Sequence, residues 1–506
     1  MHTRFTLATL TVMLAFPTLA VASPVTVSNH TQVCSYCGDL GYFHADLNND
    51  GNEDLIYIAQ PPRNPPLSIV IRFSNGDGTY AAPVSYSTPP MTGTTGPQSI
   101  ATLALGDFNH DGSIDIVAFT YDSGNAYVFL NNGKGAFTLG TSFNFNPPGQ
   151  SGNISVTVGD FNHDNLDDLA YIESGQLVIK FGDGKGAFTT GPSMQVQGNE
   201  LVMGDFDGDG AADLLVYYDY ANLNNAYVLY GDRTGHFPVT TPISLPSGFA
   251  AFSIGDVNSD GVMDILAVDP TVSTKKIFIF YGDSSRKFPH QTTLSVSRCL
   301  GGDAAQVADM DGNGINDVIV TESDCANPSN GTRWVDILTR NPNASYNPDQ
   351  TIYWAQPSPD GNTYAIDLPP VIFHANRDSK PDLMVHQCDD QYCYVHYTTT
   401  QLNTTAGNFP TCDAPPAASG INVCTPTSAP VASPVRFQIG ASLPVIARDI
   451  EVWVDGKKLA EQIYGFSQYA YLDRSVSLTP GTHRVGVYAA GWDQSTILKT
   501  FTVTVQ

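Results

Sequence analysis

The stretch "GDFDGDGAADLL", residues 204–215, sets aspartates at 205, 207, 209 and 213 and then runs directly into an apolar segment. It recurs along the chain as "DLNNDGNED" (46–54), "DFNHDGSID" (107–115), "DFNHDNLDD" (160–168), "DFDGDGAAD" (205–213), "DVNSDGVMD" (256–264) and "DMDGNGIND" (309–317), with a degenerate seventh copy, "HANRDSKPD" (374–382). Their starts are 61, 53, 45, 51, 53 and 65 residues apart, the spacing of propeller blades and too long for ankyrin or leucine-rich repeats. Each copy opens a short β-branched or aromatic run ("DLIYIA", "DIVAFT", "DLAYIE", "DLLVYY", "DILAVD", "DVIVTE", "DLMVHQ"), which reads as a strand.

A further strand follows each variable loop and ends in a tight hairpin, as in "YVFLNNGKGAFT" (127–138), "LVIKFGDGKGAFT" (177–189), "YVLYGDRTGHF" (227–237) and "IFIFYGDSSRKF" (277–288). One repeat therefore supplies an inner strand, the acidic loop, a second strand, a variable loop, a third strand, the hairpin and an outer strand. That is a four-stranded antiparallel blade, and seven of them make a closed propeller. Residues 374–409 and 23–45 together amount to one more repeat, so "PVTVSN" (24–29) is expected to pair as the outer strand of the last blade and join the ends of the ring. The Pro-, Ala- and Ser-rich stretch 410–430 reads as a linker. The alternating strands of 431–506 predict a small immunoglobulin-like β-sandwich. The expected fold is all-β, a seven-bladed β-propeller over 23–409 followed by that sandwich.

Like charges at this density repel, by about 1 kcal/mol per pair at 4 Å even in water, so the loops call for a cation. A hard ion such as Ca2+ takes six to eight oxygens. The first, third, fifth and ninth loop positions offer side-chain oxygens: Asp46, Asn48, Asp50 and Asp54; Asp107, Asn109, Asp111 and Asp115; Asp160, Asn162, Asp164 and Asp168; Asp205, Asp207, Asp209 and Asp213; Asp256, Asn258, Asp260 and Asp264; Asp309, Asp311, Asn313 and Asp317. The seventh position offers a carbonyl, from Asn52, Ser113, Leu166, Ala211, Val262 and Ile315. The sixth, Gly51, Gly112, Asn165, Gly210, Gly261 and Gly314, needs a left-handed backbone, for which Asn is the common substitute for Gly. Asx turns would use similar residues, but turn propensity alone does not demand oxygens at the same four positions in every copy. About six calcium ions are expected. In the seventh copy His374, Ser379 and Lys380 replace favourable residues, so that site should be weak or empty, with His374 a packing residue.

These D-x-[DN]-x-D-G-x-x-D loops, the preceding "GDF" or "GDV" and the "GKGAF" hairpins resemble the FG-GAP/VCBS repeats of integrin-alpha-like propellers. The resemblance implies a calcium-stabilised extracellular propeller used in binding or cell adhesion, without fixing one activity. The tail "GTHRVGVYAAGWD…KTFTVTV" is similar to Ig-like domains appended to bacterial secreted proteins.

The remaining features fit an exported protein. Residues 1–22, with a basic start, an apolar run and small residues before a cut after Ala22, read as a signal peptide, which predicts a secreted, periplasmic or cell-surface protein without membrane insertion after cleavage. A net charge of −26, from 49 acidic and 23 basic residues, argues against a nucleic-acid partner. Eight cysteines suggest disulfides. Cys299 with Cys325, Cys388 with Cys393 and Cys412 with Cys424 could each pair, and Cys34-x-x-Cys37 reads as structural rather than redox-active.

Antiparallel connectivity puts the acidic loops and hairpins at one end of each blade and the variable loops at the other, where binding surfaces are expected. Tyr121, Tyr218, Asp219, Tyr220, Asp389 and Tyr392 are the candidates there, since amphipathic aromatics beside carboxylates suit glycan or protein ligands. No H-E-x-x-H, G-x-S-x-G or P-loop motif occurs. The expected function is ligand binding through that face; the alternative is an extracellular lyase or hydrolase acting on polysaccharide.

Overall fold

The computed structural model describes residues 31–35, 42–59, 68–90, 97–120, 123–145, 154–218, 226–244, 251–268, 275–300, 305–323, 333–355, 370–376, 378–388, 396–405, 412, 414–415, 419–426, 430–445, 447–463, 468–491 and 495–506. Among the described residues the regular elements are all strands. Sheet 2 shows the repeating unit: Ile100–Gly106, Asp115–Thr120, Asn125–Asn131 and Phe137–Asn144 pair antiparallel in chain order. The same order is followed by sheet 1 (Tyr42–Ala45, Asp54–Ala59, Ser68–Arg72, Val84–Tyr86), sheet 3 (Ser155–Gly159, Asp168–Glu173, Gln176–Gly182, Phe188–Gln195), sheet 4 (Glu200–Gly204, Asp213–Tyr217, Ala226–Tyr230, Val239–Ile243) and sheet 5 (Ala251–Gly255, Asp264–Val268, Lys276–Phe280, Gln291–Ser295). In sheet 6 the first strand is split into Cys299–Leu300 and Gln306–Ala308, both pairing with Asp317–Ser323, which is followed by Arg333–Leu338 and Gln350–Ala355.

Sheet 7 takes Val371–Phe373, Asp382–Cys388 and His396–Gln401 from the end of the repeat region and its outer strand, Thr31–Ser35, from the beginning. The closing strand is thus 31–35 rather than the expected 24–29, a stretch that lies outside the described residues. The packing closes the same circle. Apolar side chains of sheets 1 and 2 share one core, 2 and 3 another, 3 to 5 a third, then 5 with 6, 6 with 7, and 7 with 1 through Phe373 and Met384 against Leu55 and Tyr57. This cyclic series of four-stranded sheets is consistent with a propeller.

The acidic motif sets the register. In every sheet the residue before the loop pairs with the ninth loop residue: Ala45 with Asp54, Gly106 with Asp115, Gly159 with Asp168, Gly204 with Asp213, Gly255 with Asp264, Ala308 with Asp317 and Phe373 with Asp382. The second loop residue is buried and docks the next repeat. Phe108 meets Phe188, Phe161 meets Phe237 and Phe206 meets Phe288, all edge to face, so the aromatic of "GDF" and the aromatic closing the following hairpin are one contact. In three of the repeats the hairpin also approaches its own loop closely: a Cβ on Gly182, Gly231 or Gly282 would lie 2.3 Å from the carbonyl oxygen of Asp167, Ala212 or Met263, so glycine is required at these three positions unless the backbone shifts.

The C-terminal unit consists of two antiparallel sheets around one core. Gly420–Thr425, Val435–Ser442 and Tyr469–Val476 form the first, and Lys457–Ile463, Ala447–Val454, Gly481–Gly491 and Thr496–Val505 the second. The first strand falls within the stretch read as linker, and Cys424 in it is bonded to buried Cys412. Residues 420–425 are therefore part of this unit. Short, Pro-flanked "GINVCT" carries too little alternation to announce itself as a strand; pairing with the apolar strand beside it makes it one.

Candidate functional site: the acidic repeat loops

The six regular loops are built alike. The carboxylate at position 1 accepts the N–H groups of positions 5 and 6, the side-chain oxygen at position 3 accepts N–H 5, and that at position 5 accepts N–H 7; in the fourth loop these acceptors are Asp205, Asp207 and Asp209. The first loop repeats the pattern with Asp46, Asn48 and Asp50. To bring these amides inward the chain turns left-handed at position 6, with φ of 95° at Gly51, 86° at Gly112, 65° at Asn165, 81° at Gly210, 94° at Gly261 and 80° at Gly314. Position 4 is left-handed too, at Asn49, His110, His163, Gly208, Ser259 and Gly312. Residue types tolerant of that region occupy most of these places, a signal present in the sequence but not read from it.

The ninth position does more than offer a ligand. In all seven copies one oxygen of this aspartate accepts an N–H at the start of its own loop, and the other accepts an N–H from the hairpin leaving the third strand. The local donors are Leu47, Asn109, Phe161, Phe206, Val257, Met310 and Ala375. The hairpin donors are Ser74, Asn131, Gly182, Gly231, Gly282, Arg340 and Asn403. Asp54, Asp115, Asp168, Asp213, Asp264, Asp317 and Asp382 are all fully buried. They tie loop to hairpin, which explains why Asp382 persists in the copy that has lost its first aspartate.

Charge gathers behind these hydrogen bonds. Oxygens of Asp205, Asp207 and Asp213 lie within 4.8 Å of one another, as do those of Asp309, Asp311 and Asp317. Burial pushes Asp54, Asp168 and Asp213 up to about 8 and Asp115 up to about 7, and holds Asp264, Asp317 and Asp382 well above the usual carboxylate range. At position 1, Asp205 rises to about 6 and Asp256 and Asp309 to about 7, burial first and neighbouring aspartates next among the causes that raise them. A set of oxygens alone, acidic and partly withdrawn from water, fits a hard divalent cation.

The fourth loop, richest in aspartate, has a competitor for that role. Arg286, from the hairpin of sheet 5, pairs its Nε with Asp207 and its Nη2 with Asp209 Oδ2 at 3.0 Å. It stands where the aligned hairpins carry Gly135, Gly186 and Gly235, and it takes the same left-handed conformation, φ 59°. An arginine in that slot was the visible sign of an internal counter-ion.

The C-terminal unit lies against the same loops. The Tyr469 hydroxyl donates to Asp46 Oδ2, Gln468 Oε1 accepts the Asp46 N–H, and Arg474 donates to the Gly314 carbonyl. Tyr471 meets His374 edge to face, with ring centroids 5.4 Å apart. His374 is buried and its main-chain N–H donates to Glu53, whose carboxylate also faces His44 Nδ1 at 3.0 Å. Lys380 reaches the Thr405 carbonyl at 2.9 Å.

At the opposite end of the sheets, Tyr218 is half-buried directly after Asp213–Tyr217. Tyr121, Asp219, Tyr220, Asp389 and Tyr392 lie outside the described residues, as does the leader 1–22. Cys412 is bonded to Cys424, and Cys299 is disulfide-bonded, its expected partner Cys325 lying outside the described residues. Among the described residues no helix is long and apolar enough to cross a membrane.

A family model described as FG-GAP-like repeat matches residues 46–118, 107–171, 160–216, 205–267 and 256–320, each match running from one acidic loop through the next. Human integrin alpha-6 is 29% identical over 136 residues and rat integrin alpha-7 28% over 144, in each case 24% of this chain. The chain spans 12% of the length of either integrin. Among solved structures, an Agrocybe aegerita lectin described as recognising non-reducing terminal N-acetylglucosamine aligns with TM-score 0.44 and 16% identity, covering 62% of this chain and 79% of its own. The NanB sialidase of Streptococcus pneumoniae aligns with TM-score 0.37 and 12% identity, over 75% and 70%.

Proposed function

The chain belongs to the FG-GAP-like repeat family, and on that premise we propose that it is a secreted, calcium-stabilised seven-bladed β-propeller with an Ig-like sandwich at its C-terminus, which binds an extracellular glycan or protein through the face opposite the acidic loops. The observation that carries this reading is the seating of the C-terminal unit. Its residues Gln468, Tyr469, Tyr471 and Arg474 reach loops 1, 6 and 7, so the loop face is engaged within the chain itself. A partner is then left the other ends of the sheets, where Tyr218 stands and where the loops vary most in length and composition.

In this reading calcium is structural. The cation would be held by the oxygens at positions 1, 3, 5, 7 and 9, its charge offsetting the repulsion among aspartates that the fold packs together. Glycan and protein arrays probed with the purified chain in calcium test the function, with the triple variant Tyr121→Ala, Tyr218→Ala, Tyr220→Ala alongside. Capture by the wild type and loss of it in the triple variant are expected. Full capture by the variant would refute the face, and no capture by the wild type on either array would refute binding as the function.

A further inference from the structure

A separate carboxylate cluster lies in sheet 6, away from the repeat loops. Glu322, Asp336 and Asp349 each place a carboxylate oxygen within 4.8 Å of the others. Their convergence follows from register. Glu322 pairs with Trp334 and Val320 with Asp336, so Glu322 and Asp336 leave the same face of the sheet, and Val320 on that face belongs to the core shared with sheet 5. Asp349 stands just before strand Gln350–Ala355. The connection arriving from sheet 5 brings Ser297 and Arg298 over the top. Asp317, the nearest repeat-loop ligand in sequence, opens the strand that carries Glu322, five residues and roughly 16 Å away at 3.3 Å per residue.

The partners of these carboxylates occupy only part of them. The Arg298 main-chain N–H donates to Glu322 Oε2 at 3.2 Å, and its Nη1 lies 3.6 Å from that oxygen and pairs with Asp336 Oδ2. The Ser297 N–H donates to Asp349 Oδ2 at 2.9 Å, and its hydroxyl donates to the same oxygen. Glu322 Oε1 and Asp336 Oδ1 accept no hydrogen bond among the described residues, although their side chains are 0% and 1% exposed. Buried carboxylate oxygens left bare cost more than almost any other polar arrangement, and here two belong to one cluster. Three carboxylates against one guanidinium leave two negative charges in excess.

We propose that Glu322, Asp336 and Asp349 hold one divalent cation between sheets 5 and 6, at a site independent of the acidic repeat loops. The donors are all oxygens, which selects a hard ion of the calcium class over zinc or copper. Asp349 is half-buried and Ser297 exposed, so the ion enters from that side and keeps water there. Arg298 stays in place as counter-ion to the outer oxygens, its guanidinium 4.5 Å over the Trp334 ring. In this position the ion ties the middle strands of sheet 6 to the strand that follows them and to the connection from sheet 5.

Trp334 beside the cluster supplies the test. Terbium, a luminescent stand-in for calcium, is titrated into the full chain with excitation of tryptophan. The expected result is sensitised emission that calcium competes away, with one component missing in Trp334→Phe and the same component missing in Glu322→Gln/Asp336→Asn. Asp349→Asn, which leaves the buried pair intact, should weaken terbium binding in that component by about tenfold or more; it serves as the readout if the double variant does not fold. Emission that is unchanged in Trp334→Phe, or a Trp334-dependent component that survives in the folded carboxylate variants, would overturn the proposal in favour of a proton shared by Glu322 and Asp336.

Discussion

Tyr469 and Asp46, 423 residues apart, share a buried hydrogen bond of 2.6 Å in which the phenol donates to the first aspartate of the first loop. It joins the C-terminal unit to the repeat region at the point where the chain first enters the motif. The same carboxylate accepts the N–H groups of Asp50 and Gly51, so it holds the loop turn and the inter-unit contact together. Hydrogen bonds to charged groups contribute about 1.5–3 kcal/mol, and Tyr469→Phe should lower stability by about that much. Urea unfolding followed by tyrosine fluorescence measures it; a midpoint coincident with wild type would mean that the two units do not touch at Asp46 in solution.

Removal of calcium should destabilise the whole repeat region. A ligand at 100 times its Kd contributes about 2.7 kcal/mol per site, so even a few loaded loops would shift Tm by many degrees. Calorimetric scans in excess calcium and in EDTA should separate clearly. Superimposed scans would remove calcium from the account and leave the loops as Asx turns.

Aspartate at the ninth position carries a different prediction, because in all seven copies its two oxygens are engaged by backbone amides, the seventh copy included. In the seventh copy His374 stands where the first aspartate should be, yet Asp382 accepts from Ala375 and Asn403 like its six counterparts. Asp382→Asn turns one acceptor into a donor facing a buried N–H, at a cost of about 1–3 kcal/mol. The loss in Tm should be equal in calcium and in EDTA. A loss confined to calcium-containing buffer would instead assign Asp382 to a working metal site.

The recurrence of the acidic nonapeptide made the order of sheets, the start of each second strand at its ninth residue and the left-handed sixth position readable from sequence, because each rests on local chemistry. What escaped was non-local. The closing strand fell at Thr31–Ser35 because "PVTVSN" and "TQVCS" are both credible strands, and only pairing with His396–Gln401 distinguishes them. The tie from the ninth aspartate to the hairpin escaped because its donors are backbone amides of residues as unlike as Ser74, Asn131, Gly182 and Arg340, which leave no pattern in side-chain identity. The Glu322 cluster escaped because it too is non-local: two carboxylates from paired strands and one from the residue before the next strand meet only in the folded sheet.

Arg286 provides the sharpest test of charge balance in the loops. Its guanidinium pairs with Asp207 and Asp209 and offsets one of the negative charges that Asp205, Asp207 and Asp213 bring together, and it is only about one-third exposed. Its backbone sits in a conformation that costs a non-glycine residue roughly 1–2 kcal/mol, so the ion pair offsets a local strain. Arg286→Gln keeps that strain and removes the charge. In EDTA the variant should unfold earlier than wild type, by about 1 kcal/mol given the partial exposure of the pair. With calcium the order should tighten or reverse, because the cation no longer competes with a guanidinium for the same carboxylates. Calcium titrations of Tm should therefore show the variant responding at lower calcium and over a larger span. Parallel titration curves for the two proteins would mean that Arg286 and the cation do not share Asp207 and Asp209, and that the fourth loop is held by arginine alone.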